Sequence, residues 1–118
     1  MTDHRYVPRD FLIQPELFGE PGVAVRWHPK PAAAPEIDWF LASAIQHSFA
    51  ARMRAAVKQS DRYSSVRDFA KQEGFRYAGL TEVLRGPGVM RLDHIAAARR
   101  TLGIDLNVWG PVLIGGES

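Results

Sequence analysis

From residue 37 onward, apolar side chains recur at intervals of three and four: Ile37, Phe40, Leu41, Ala44, Ile45, Phe49, Met53 and Val57, with Ser48 and Ala56 on the same stripe. This spacing predicts one long amphipathic helix. Pro35 stands just before it, and Glu36 and Asp38 lie in its first turn, where carboxylates meet the positive end of the helix dipole. His47-Ser48 is the place where it could bend. After a polar gap at Ser60-Asp61-Arg62-Tyr63, three shorter helices are predicted. One runs from Val66 to Glu73, opened by Ser65 with Asp68 three positions on and stopped by Gly74. The next runs from Tyr77 to Arg85 and ends at Gly86-Pro87-Gly88, and the last runs from Leu92 to Leu102 and closes at Gly103.

The chain in front of these helices has a different texture. Phe11-Leu12-Ile13 and Val23-Ala24-Val25-Arg26-Trp27 flank Gly19-Glu20-Pro21-Gly22, the pattern of a short β-hairpin, with Pro15 confining the first strand to an edge. Pro29-Lys30-Pro31-Ala32-Ala33-Ala34-Pro35 reads as a stiff linker. At the other end, Leu106, Val108, Trp109 and Val112-Leu113-Ile114 make residues 105–118 too apolar for a solvated tail. The expected organisation is therefore an N-terminal extension (1–35), a helical domain (36–104) and an apolar C-terminal tail (105–118). The fold class is mainly α: a helical bundle with a short N-terminal β-hairpin.

With 118 residues, 46% of them hydrophobic and 24% charged, the chain suits one folded domain. No apolar run is long enough to span a membrane, and the N-terminus has no apolar signal-peptide core. There is no cysteine, which removes disulfides and thiolate chemistry and is compatible with a reducing, cytoplasmic setting. His4, His28, His47 and His94 are dispersed without metal-ligand spacing, no nucleophile-elbow motif occurs, and carboxylates are scattered. No metal site, cofactor or enzymatic activity is expected.

Net charge is only +2, but its distribution is uneven. Residues 1–40 carry four basic and six acidic side chains, whereas residues 52–100 carry eleven basic and five acidic ones. Twelve of the fifteen cations are arginine, the side chain best suited to forked contacts with phosphate and base edges. A general compositional bias toward Arg and Ala accounts for part of that count but not for the segregation.

The most informative stretch is Phe69-Ala70-Lys71-Gln72-Glu73-Gly74-Phe75-Arg76-Tyr77-Ala78-Gly79-Leu80-Thr81-Glu82-Val83-Leu84-Arg85-Gly86. Ala70 is small where a second helix would cross, and Gly74 suits a turn that needs positive φ. Phe75, Leu80 and Val83 would dock the second helix on the first. Arg76, Tyr77, Ala78, Thr81, Glu82 and Arg85 are left outward, as in a helix-turn-helix whose second helix enters a major groove.

On these residues, 49–104 resemble the helix-turn-helix domain of the lambda-repressor/Cro (XRE-like) family: the spacing Ala70, Gly74, Leu80, Val83 matches its core signature. Arg85-Gly86 before a proline, and a closing helix that ends Leu102-Gly103-Ile104, are also similar to its pattern. The resemblance covers about half the chain. It implies base contacts from Tyr77, Ala78, Thr81 and Glu82, and phosphate contacts from Ser65, Arg67, Arg76 and Arg85. Four departures stand out. Glu73 occupies a position usually apolar. Leu84 stands where many members have a glutamate paired with an arginine of the first helix, so Arg52 or Arg54 is expected to be freed. The connection from Arg54 to Ala70 is longer than usual, and residues 1–35 and 105–118 have no counterpart.

The resulting expectation is a repressor-like, sequence-specific regulator that binds double-stranded DNA as a homodimer, because one recognition helix reads about 4–5 base pairs and two half-sites roughly square the specificity. The N-terminal hairpin and the C-terminal tail are the expected dimer contacts. Two alternatives stay open: an antitoxin that represses its own operon, and a helical adaptor whose basic surface meets an acidic protein partner without DNA.

Overall fold

The computed structural model describes residues 6–104, so the expectations for residues 105–118 lie outside it. Four helices follow one another: α1 (Glu36–Gln59), α2 (Val66–Glu73), α3 (Tyr77–Arg85) and α4 (Leu92–Leu102). Each ends as its sequence dictates. The Ser65 hydroxyl accepts a 3.0 Å bond from the Asp68 N–H and so caps α2. The Asp68 carboxylate reaches back to the N–H of Ser64, one residue beyond the position a capping box would fill. Gly74 ends α2 at φ +81°, in the left-handed region that suits glycine. The Phe75 N–H then donates to the Ala70 carbonyl at 2.8 Å, which closes the tight turn into α3.

α1 is continuous through His47-Ser48. Its inner side meets the other helices in a core of Phe49, Ala50, Met53, Val57, Tyr63, Phe69, Ala70, Leu80, Leu84, Ala98 and Ile104. Burying a Leu or Phe side chain of this kind contributes about 1.5–3 kcal/mol. Phe69 is the hinge of the packing: Tyr63 meets it edge-on at 4.9 Å and Phe75 stacks on it at 6.4 Å.

The N-terminal hairpin does not form. Among the described residues the two apolar runs share a single antiparallel bridge, Leu12 with Trp27, flanked by Ile13 N–H to Arg26 O (3.0 Å) and His28 N–H to Phe11 O (2.9 Å). Pro8 and Pro15 each open a short 3₁₀ turn, Pro8–Phe11 and Pro15–Leu17, because proline fixes φ and removes the N–H that a ladder would need. The segment is instead moulded onto α1. Leu12 and Phe18 are each 1% exposed, and Trp27 packs edge-on against Phe40 and His47, both at 5.7 Å. Its main apolar anchors, Leu12 and Phe18, are thus turned into its own chain, while Ile13 and Val23 stay exposed.

This second layer explains an unusual feature of α1. Ser43, Gln46 and His47 are buried, whereas Ile37, Leu41 and Ile45 are only half-buried. The helix is covered on two sides, and polar side chains on the added side find backbone partners. The Ser43 hydroxyl donates to the Pro8 carbonyl, and His47 Nδ1 accepts from the Gly19 N–H at 2.8 Å.

Candidate nucleic-acid interface

α3 is amphipathic and its inner face is fixed: Leu80, Val83 and Leu84 are buried. Ala70 is buried beneath them on α2, and Gly74 supplies the turn, as the Ala70, Gly74, Leu80, Val83 spacing requires. The outer face carries the residues expected to read bases. Ala78 and Glu82 are exposed, Tyr77 is 38% exposed, and Thr81 is half-buried. Nine residues give α3 a length of roughly 13 Å, comparable with the width of a B-DNA major groove.

Arg67, Arg76 and Arg85 are exposed around this face, and Ser65 is exposed at the start of α2 with its hydroxyl engaged in the cap. The structure unites two of the expected residues from different helices: the Arg67 guanidinium lies over the Tyr77 ring, 4.2 Å from its centroid. Such a pair contributes about 0.5–1 kcal/mol at an exposed site and holds both groups in one orientation. Five of the expected residues line two concavities. Tyr77, Thr81 and Arg85 line a shallow hollow of about 140 Å³ with Arg54, Val66 and Leu84. Arg76 and Glu82 belong to a cleft of about 410 Å³ between α3 and the start of α4, with Arg91, Asp93 and His94 on its far wall. Arg91 grips Asp93 with two bonds of 3.0 and 2.7 Å, which keeps the Asp93 carboxyl below its ordinary range.

The expected freeing of Arg52 or Arg54 is not what the structure contains. Arg54 Nη1 donates to the Gly19 carbonyl at 3.0 Å and pairs with Glu20 at 3.5 Å, and Arg52 is engaged as well. The N-terminal segment supplies the acceptors for the Arg54 guanidinium. Leu84 can therefore be apolar and join the core.

Glu73 is the other departure, and it has a local cause. Its side chain is only 5% exposed, with Arg100 at 2.7 Å and Arg62 at 3.5 Å. The Tyr63 hydroxyl donates to it at 2.8 Å. That hydroxyl, followed by Arg100, holds the Glu73 carboxyl below its ordinary value, so it stays ionised at neutral pH. An apolar residue there would leave the Tyr63 hydroxyl without this acceptor.

Two further residues matter and were not singled out from the sequence. Gln46 is buried in α1, and its amide nitrogen donates to the carbonyls of Val83 and Gly88, both at 2.8 Å. Its oxygen accepts from the Met90 N–H at 2.9 Å. One side chain thus fixes the end of α3 and the loop behind it. The available signal was position: 42, 46, 49 and 53 share a helical stripe, and a glutamine on it needs internal partners. The second is Arg9. Its N–H donates to the Gly86 carbonyl at 3.1 Å, which sets an exposed cation at the C-terminal end of α3.

No family model matches the chain, and comparisons with curated proteins and with solved structures return no match. Among the described residues no group of His, Asp and Glu could hold a metal ion, and no helix is long and apolar enough to cross a membrane.

Proposed function

We propose that this chain is a sequence-specific regulator of transcription of the lambda-repressor/Cro (XRE-like) type, which lays α3 in the major groove of double-stranded DNA. The observation that carries the reading is the two-sidedness of α3. Its inner face is locked in the core, and its outer face, Tyr77, Ala78, Thr81 and Glu82, is bordered by Arg67, Arg76 and Arg85. Roles follow from chemistry. Ala78 offers a methyl contact to thymine, Glu82 accepts from cytosine N4, and Thr81 bonds to either class of base edge. Tyr77, held under Arg67, packs at the groove edge. Arg67, Arg76 and Arg85 reach phosphates, joined by the Ser65 hydroxyl at the start of α2. Two copies on adjacent half-sites supply the specificity that one short helix lacks, and the regulator acts in the cytoplasm, on the nucleoid. The chain regulates by occupying a promoter.

Selection of bound duplexes from a random pool, followed by titration across a salt series, tests this. A recurrent motif is expected, with a log–log salt slope of about −3 per copy from three phosphate-neutralising arginines. Duplex binding that is absent, or indifferent to salt, would sink the proposal and favour an acidic protein as the partner.

A further inference from the structure

An apolar groove of about 170 Å³ runs between the first half of α1 and the loop that leads into α4, lined by Tyr6, Ala42, Ile45, Val89, Met90 and Ile95. Its rim is open: Val89 is 51% exposed, and Leu92, just beyond, is 82% exposed. Apolar surface gathered in one groove is unfavourable in water, so a segment that covers it is stabilised by the burial.

The chain itself carries a fitting occupant. Residues 105–114 hold Leu106, Val108, Trp109, Val112, Leu113 and Ile114 with a single charge, Asp105. The opposite end, Met1–Arg5, has Asp3 and Arg5 among five residues and offers no comparable apolar run. Geometry allows the first. The segment begins next to Ile104, which is buried in the core at the end of α4. Ile95 lies nine residues earlier on the chain, so the groove is roughly 14 Å back along the helix. Ten extended residues span roughly 33 Å. A segment tethered this closely has an effective concentration on the order of millimolar, far above that of a second copy at micromolar protein.

We infer that residues 106–114 dock in this groove of their own chain. They cover α1 and α4 on the flank that the N-terminal segment borders only with Tyr6. The docked segment lies against Met90, whose N–H is held by Gln46, and so supports the loop behind α3 from outside.

Because the chain has no cysteine, one introduced thiol carries a single nitroxide. The full-length Ala42→Cys variant, labelled at this exposed rim position, is compared with Leu92→Cys labelled on the other side of the groove. Amide signals of residues 106–114 are expected to lose more than half their intensity from both positions. They should keep it when the nitroxide sits on unenriched chains mixed with enriched, unlabelled ones. Undiminished signals in the labelled chain overturn the inference, and broadening confined to the mixed sample overturns it in favour of a second copy. In a Leu113→Asp variant the broadening should disappear and a dye that reports apolar surface should bind more strongly; retained broadening contradicts the assigned contact. None of these readouts involves DNA, so the inference stands or falls apart from the proposed function.

Discussion

Gly19 lies so close to the end of α3 that a Cβ on it would stand 2.0 Å from the carbonyl oxygen of Leu84. The contact is backbone to backbone, so no side-chain rotation relieves it. Its φ of +73° is also left-handed. Gly19→Ala should therefore destabilise the protein by about 2–5 kcal/mol, combining strain with overpacking. Gly22 has a similar φ of +74° but open space around it, so Gly22→Ala should cost only about 1 kcal/mol. Urea denaturation compares the two. Equal midpoints would mean that the Gly19–Leu84 contact is not held in solution.

Gln46→Leu keeps the volume and removes three hydrogen bonds. The Gly88 carbonyl and the Met90 N–H then lose this partner in a part-buried site, at a cost of about 2–4 kcal/mol. Hydrogen exchange gives the more specific readout: the Met90 amide should exchange much faster in the variant, while amides in the middle of α1 slow or quicken only with global stability. An unchanged Met90 amide contradicts the role assigned to Gln46.

Acid should loosen the fold in two stages. Burial holds His47 and His94 below their ordinary value of 6.5. The unfolded chain therefore binds protons that the folded chain refuses, and stability rises with pH across this window. The full contribution is present above about pH 6.5 and is lost as pH falls through the folded-state values below it. Glu73 adds a second loss below the ordinary glutamate value of 4.5, because its carboxyl is held low by Tyr63 and Arg100. Urea midpoints from pH 7.5 to 5 test the first stage. His47→Asn keeps an acceptor for the Gly19 N–H and should flatten that slope while lowering the starting stability, because the ring contacts to Phe18 and Trp27 are gone.

Deleting residues 1–30 should unfold the helical domain or leave it molten. It exposes the sides of Phe40, Ser43 and His47 that the N-terminal segment covers, and it strips Arg54 of its acceptors. Circular dichroism in the near and far ultraviolet decides. A deletion product that melts cooperatively at the full-length temperature would show that the segment is dispensable.

The helical half of this architecture was legible because each helix announces its own ends. Ser65, Gly74, Gly86 and Gly103 act within one turn of their own positions, and such signals survive without knowledge of the tertiary fold. The N-terminal half was not. Its 3₁₀ turns have no periodicity, and its apolar residues settle on the side of α1 that carries Ser43 and His47. Both lie off the apolar stripe that the spacing marks, so no local signal shows that they are covered. The same blindness freed Arg54, whose acceptors come from residues 19 and 20. At the candidate interface, exposure was legible from amphipathicity. The stacking of Arg67 on Tyr77 was not, since it depends on the angle between two helices.

Within the DNA-binding proposal, Arg85 is a backbone contact. Arg85→Ala should weaken binding to all duplexes by a similar factor and reduce the magnitude of the salt slope by about one. Glu82→Gln should instead change which base is preferred at one position. A base-selective loss from Arg85→Ala would reverse the two assignments.

The bond from Arg9 to Gly86 and the seat of Gly19 on Leu84 join the beginning of the described chain to the end of its third helix. For a ribosome this sets an order of events. The N-terminal segment emerges before α3 and can settle on α1, but the seats of Arg9 and Gly19 are missing until residues 84–86 have followed, so the closing step waits on them. The helices fold from local contacts and form early, whereas this long-range closure bears the loop-entropy cost and comes last. Until then the turns at Arg9 and Gly19 lack their backbone partners, and the nascent protein passes through a stage in which its helices are made but its outer wrap is not yet closed.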